Sequence, residues 1–167
     1  MPTSNHYQEL VELIDRITDS PDPETVLAQV LATLSGHFAT ARALILLPDR
    51  RGLLAAAARR GLGESALADL PAITLDSMAT DPLDGFQELH GLALCQTIEL
   101  QGRPRGVLLL GPRSDGRDYS PEDCDYIAAA TDMAALALDY QQLIQRLNDS
   151  VQSLDNKLEQ LSSLFEL

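Results

Sequence analysis

Residues 94–138 read LCQTIELQGRPRGVLLLGPRSDGRDYSPEDCDYIAAATDMAALAL. Two apolar runs, 94–100 and 105–111, flank Gln101-Gly102-Arg103-Pro104, the pattern of an antiparallel hairpin. Ser120-Pro121-Glu122-Asp123 then opens a helix. The Ser120 hydroxyl can accept from an N–H three residues on, Pro121 needs no donor, and the acids meet the positive end of the helix dipole. No Pro or Gly occurs from 122 to 167, so one helix of up to ~45 residues, ~68 Å long, can run to the end.

Upstream, Tyr7, Leu10, Val11, Ile14 and Ile17 recur at helical spacing, an amphipathic opening helix. Ser20-Pro21-Asp22-Pro23 ends it and starts a second helix, expected to run to about Gly36. Residues 42–48, RALILLP, form a continuous apolar run, the mark of a strand covered on both faces. Asp49-Arg50-Arg51-Gly52 reads as a tight turn. Residues 53–59 then read as the antiparallel partner, although their four consecutive Ala make helix a rival on propensity. Residues 61–93 are broken by five Gly and Pro up to Gly85 and again by Gly91. A short strand at 72–75 and a helical turn near Ser77 or Phe86 are expected there. Helices, hairpins and a closing helix argue α+β, with a sheet between a helix layer and a loop layer.

The closing helix carries Leu136, Tyr140, Leu143, Leu147, Val151, Leu154, Leu158, Leu161 and Phe165 in steps of 4, 3, 4, 4, 3, 4, 3 and 4. That is a heptad seam with one stutter around Leu147. From Leu147 to Phe165 everything else but Leu164 is polar. Such a stripe either folds back on its own domain or pairs with another helix; a parallel homodimeric coiled coil fits it better. The stripe Leu10, Ile14 and Ile17 is expected to join that interface. The organisation expected is a dimerisation helix at 1–22, a domain at 23–145 and a signalling helix at 146–167.

The chain has 167 residues with 12 basic and 25 acidic side chains, a net charge of −13. One domain is the expectation at this length, and 45% hydrophobic content can furnish its core. The charge balance argues against nucleic acid or an anionic membrane as partner. No apolar run nears the ~20 residues of a membrane span, and no signal-peptide pattern opens the chain, so a cytoplasmic location is expected. Residues 61–101 hold seven acids and no Lys or Arg.

The quoted stretch closely resembles the C-terminal half of a GAF domain. The matching features are strand 94–100, Gly102, the Gly106-Val107-Leu108 strand, Tyr119-Ser120-Pro121-Glu122-Asp123, and the Ala-rich helix 128–138. Residues 25–47 resemble that family's first helix and strand. The resemblance implies a central antiparallel sheet with N- and C-terminal helices on one face and a loop-covered pocket on the other. It implies a sensory or regulatory role, commonly as a dimer, with the helix beyond Leu138 leading to an output domain. Pocket walls are then expected from Ser77, Met78, Phe86, Leu89, His90, Cys95, Thr97 and Leu108. The Asn-Lys-Phe-Asp-Glu signature of cyclic-nucleotide binders is absent, and no Cys-His pair marks a bilin attachment site. The expected ligand is therefore neither of these but a neutral or apolar molecule, and no resident cofactor is expected.

Catalytic constellations are thin. His6, His37 and His90 lack metal-site spacing, and no Cys-x-x-Cys occurs, so no metal is expected. Cys95 and Cys124 leave open a thiol reductase, an activity that one GAF branch carries. Their places in a strand and on a helix face instead suit small buried apolar residues. A ligand-free dimerisation scaffold is the other alternative.

Overall fold

The computed structural model describes residues 8, 9, 11, 12, 23–77 and 83–166. Leu10, Ile14, Ile17 and Met78 lie outside the described residues.

Helix α1, Pro23–Phe38, buries Val26, Leu27, Val30, Leu31, Leu34 and Phe38 along one face. It runs two residues past the expected end because Phe38 is itself buried, and Ala39 at φ 49° then turns the chain. Strand β1, Ala43–Pro48, keeps its first four residues at 0–1% exposure, as expected of a strand covered on both sides. Strand β2, Leu54–Arg60, pairs antiparallel with β1. The alanine run is therefore strand. The turn overrides helix propensity: Asp49 Oδ1 accepts from the N–H groups of Arg51 and Leu53 at 2.8 and 3.0 Å, and this closes the hairpin.

Two short helices follow, α2 at Glu64–Leu67 and α3 at Asp84–His90. Between them the expected strand at 72–75 is reduced to one bridge, Leu53 to Thr74. Strands β3, Leu94–Leu100, and β4, Arg103–Leu110, form the second hairpin. Its loop is only Gln101 and Gly102, both at positive φ, 55° and 74°. That is the loop geometry whose twist matches paired strands. The sheet order is β2-β1-β4-β3, antiparallel throughout.

Helix α4, Pro121–Phe165, is 45 residues long and begins with a complete capping box. Ser120 Oγ accepts the Asp123 N–H at 3.1 Å, and Asp123 Oδ2 accepts the Ser120 N–H at 2.9 Å. Arg113 bonds the same Asp123 oxygen at 2.6 Å and pairs with Asp115 at 2.8 Å. Burial pushes the Asp123 carboxyl up. The Ser120 N–H and hydroxyl and the Arg113 guanidinium outweigh it, leaving Asp123 below the usual carboxylate range. A depressed folded value means that this group's contribution is complete above the ordinary value near 3.8 and is lost as pH falls through the folded value. Asp123→Asn should therefore flatten the acid limb of a stability–pH curve measured by urea unfolding. In the same assay Ser120→Ala should cost about 1 kcal/mol at neutral pH.

The sheet separates two cores. On the helix side Ala43, Ile45, Ile98, Leu108 and Leu110 pack with α1 and with Tyr126, Ile127, Ala130, Ala134 and Ala135 of α4. On the loop side Leu44, Leu46, Val107 and Leu109 pack with Leu54, Ile73, Leu83, Phe86 and Leu92. This is the α+β arrangement the sequence led us to expect, and α4 extends well beyond it.

Candidate functional site

The loop side is organised around α3. Phe86 is 4% exposed, and its ring lies 4.6 Å from that of His90. His90 Nε2 sits 3.0 Å from Asp69 Oδ2, and the His90 carbonyl accepts from Arg42 Nη1. One residue thus joins α3 to the 61–72 segment and to the connection between α1 and β1. Its imidazole is 15% exposed, turned into this junction. Arg42 supplies the base that the Lys- and Arg-free stretch lacks.

The expected pocket residues divide. Phe86 and Cys95 belong to the loop-side packing, and His90 lies against Phe86. Ser77 is engaged locally: its Oγ accepts the Thr74 N–H and donates to the Thr74 carbonyl, both at 2.9 Å. Thr97 is exposed on the edge strand, and Leu89 is 66% exposed. Leu108 is corrected outright: it is fully buried on the helix side, and its neighbours Val107 and Leu109 face the loops. The pairing of Cys95 with Leu109 gives the reason, since cross-strand partners share a face. Arg42 and Asp69 were not singled out for this junction, and no spacing in the sequence brings them together.

Cys95 and Cys124 are both partly buried. Cys95 packs on the loop side. Cys124 lies in the first turn of α4, on the helix side, where its carbonyl accepts from Gln96 Nε2 at 3.5 Å. The sheet stands between them. Among the described residues no group of three or more His, Cys, Asp or Glu is placed to hold a metal ion. No described helix is long and apolar enough to cross a membrane.

A second polar centre ties the helices together. Glu9 Oε2 lies 2.6 Å from His37 Nδ1 and accepts from the Tyr126 hydroxyl at 2.9 Å, while the His37 and Tyr126 rings stack at 4.1 Å. Burial and the Glu9 carboxylate both push the Tyr126 phenol above its ordinary value. Glu9 is thereby held against the end of α1 and the start of α4.

The seam of α4 is bare. Leu136, Tyr140, Leu143, Leu147, Val151, Leu154, Leu158, Leu161 and Phe165 are 51–86% exposed. From Gln142 to Glu166 every residue is exposed, within an unbroken helix.

No protein-family model and no curated protein matches the sequence. Solved structures do. The GAF domain of a protein described as a sensor histidine kinase from Pseudomonas syringae pv. tomato aligns with a TM-score of 0.64 at 19% identity, over 88% of this chain and 94% of that one. The GAF domain of a phosphoenolpyruvate-protein phosphotransferase from Coxiella burnetii aligns with a TM-score of 0.65 at 16% identity, over 87% and 99%. A GAF domain/HD domain protein from Geobacter sulfurreducens aligns at 0.59 and 20%, over 77% and 99%. With the sheet order and the helix layer described above, these likenesses show that the chain has the GAF-domain fold.

Proposed function

We propose that the chain is a non-enzymatic regulatory module. It dimerises through α4 and passes the state of its GAF domain along that helix to an output domain. The observation that carries this reading is the seam from Leu136 to Phe165, apolar, regularly spaced and exposed in a single chain. A stripe of this width is stable in water only when another helix covers it. A second copy supplies the same stripe in the same register. The structures of like fold from a sensor kinase, a phosphotransferase and an HD-domain protein support a regulatory role. Against a two-thiol reductase stands the placement of Cys95 and Cys124 on opposite sides of the sheet, where neither can resolve the other.

Sedimentation velocity tests the dimer. The chain should sediment as a dimer at micromolar concentration, and deletion after Gln142 should yield a monomer or a much weaker dimer. A full-length monomer under those conditions would remove the relay. The scaffold reading draws on the loop side, where, among the described residues, Ile73, Leu83, Phe86 and Leu92 pack onto the apolar face of the sheet. Native mass spectrometry of the freshly purified chain separates the two: a retained small-molecule mass supports a sensor, and its absence after ligand screening supports a scaffold.

A further inference from the structure

A cleft of about 350 Å³ opens on the helix side of the sheet, between α1, α4 and the ends of β1 and β4. Its floor is core: Val30, Ile45 and Ile98 are 0%, 1% and 5% exposed. Its α4 wall combines Ala134, Ala135 and Leu138 with the polar Thr131, Asp139 and Gln142. Two alanines in succession leave open a space that larger side chains would close. The volume exceeds by far the ~30 Å³ share of one water and falls in the range of small-molecule sites, about 300–1,000 Å³. An apolar floor of this kind gains little from water.

The mouth carries the chemistry. Arg105 Nη2 donates to Asp139 Oδ2 at 2.8 Å, joining β4 to α4 across the opening. Among the described residues these two are the charged ones of the lining, and their formal charges cancel. Placing either an anion or a cation there sets it against one partner of a formed pair, and a net charge of −13 further disfavours anions. The guanidinium has five N–H donors and the carboxylate has two oxygens. A group that both accepts and donates can therefore use the pair without breaking it.

We propose that this cleft binds a small uncharged molecule, mostly apolar, that ends in a donor–acceptor group such as an amide or alcohol. The apolar body lies over Val30, Ile45 and Ile98, and the polar end meets Arg105 and Asp139. A second copy docked on the seam meets this site only at its rim, where Asp139 lies roughly 40–60° around the helix from Leu143 and Leu136. Leu138 lies roughly 140–160° around the helix from the seam positions Leu136 and Leu143 at 3.6 residues per turn. Occupancy bears on α4 where the seam begins. Only that consequence rests on the regulatory reading above; the binding does not.

The test is methyl NMR on the full chain, titrated with decanamide and, separately, with decanoate. Saturable decanamide shifts centred on the Val30, Ile45, Ile98 and Leu138 methyls are expected, with decanoate binding more weakly by a few-fold, as suits an exposed pair. Asp139→Asn, a change at a partly exposed position, leaves Arg105 unpaired and should reverse that preference. Ala135→Phe should fill the cleft and abolish the shifts. If Ala135→Phe does not fold, the Asp139→Asn reversal decides alone. Absence of saturable binding, shifts centred on Leu44, Leu46 and Leu109, or equal binding of amide and carboxylate would each overturn the proposal. A chain that sediments as a monomer yet shows the expected shifts keeps the site and loses the relay.

Discussion

Replacing Leu147 and Leu154 together by Glu is expected to convert a dimer into a monomer without disturbing the domain. Both residues lie beyond Gln141, where α4 leaves the domain, and they are 56% and 59% exposed in the single chain. Neither contributes to the folded core. In the dimer each would bury most of a leucine side chain, about 1.5–3 kcal/mol apiece. Two substitutions in each of two chains remove four such contacts and place four carboxylates along one seam. The lost stabilisation is about 6 kcal/mol or more, which is roughly four orders of magnitude in the dissociation constant. Sedimentation velocity should show a single slow species at concentrations where the parent is dimeric. Far-UV circular dichroism should lose helix equivalent to the exposed part of α4, since an isolated helix of that composition is marginal in water. Methyl resonances of the two cores should stay in place. A double variant that sediments like the parent would mean that the seam is not the interface. The stutter adds a finer point. Its two successive four-residue steps unwind the supercoil locally around Leu147, so the partners there are held less tightly than at Leu154 or Leu158. A single Leu147→Glu should weaken the dimer less than a single Leu154→Glu.

The elements that the sequence made legible are those whose signals are local. Ser120 and Asp123 name a capping box by their spacing alone, and the box is formed. Asp49 and Gly52 set the turn that forces an alanine run into a strand. The seam could be counted residue by residue, and its exposure follows. Side-chain facing on the second hairpin was not legible in this way. A four-residue turn at 101–104 would pair Leu100 with Arg105 and hence Thr97 with Leu108, placing Leu108 on the loop side. The actual loop is two residues long, and a bulge between Ile98 and Glu99 shifts the register by one. Thr97 therefore pairs with Val107, and Leu108 turns to the helices. A slip of one residue flips a whole strand, and neither a bulge nor a turn type leaves a strong trace in composition. The His90 junction was hidden for another reason. Asp69, His90 and Arg42 are far apart in sequence, and what unites them is how two loops fold across β1, a tertiary fact with no periodicity.

Gly61→Ala is expected to be among the most damaging single substitutions in the domain. Gly61 ends β2 at φ +70°, and a Cβ there would lie 2.0 Å from the Ala41 carbonyl oxygen. The left-handed conformation alone costs a non-glycine residue about 1–2 kcal/mol. The clash is with main chain on both sides, so no side chain can swing away. Either β2 separates from the start of β1, where Arg60 pairs with Ala43, or the Ala41 peptide moves and takes Arg42 with it. A total loss of about 3 kcal/mol or more is expected, a large share of the ~5–15 kcal/mol that holds a domain together. Gly102→Ala supplies the internal control. Gly102 has nearly the same torsion, φ +74°, but open space around it, so it should lose only the conformational part, about 1–2 kcal/mol. Urea midpoints measured at one protein concentration give the comparison. Equal losses would show that close approach at Gly61 does not matter and that torsion accounts for the whole effect. A larger loss at Gly61 would tie the strand end to the loop layer, because Arg42 also holds the His90 carbonyl there. A chain weakened at Gly61 but still folded should then show displaced His90 and Phe86 resonances, while Gly102→Ala leaves them unmoved.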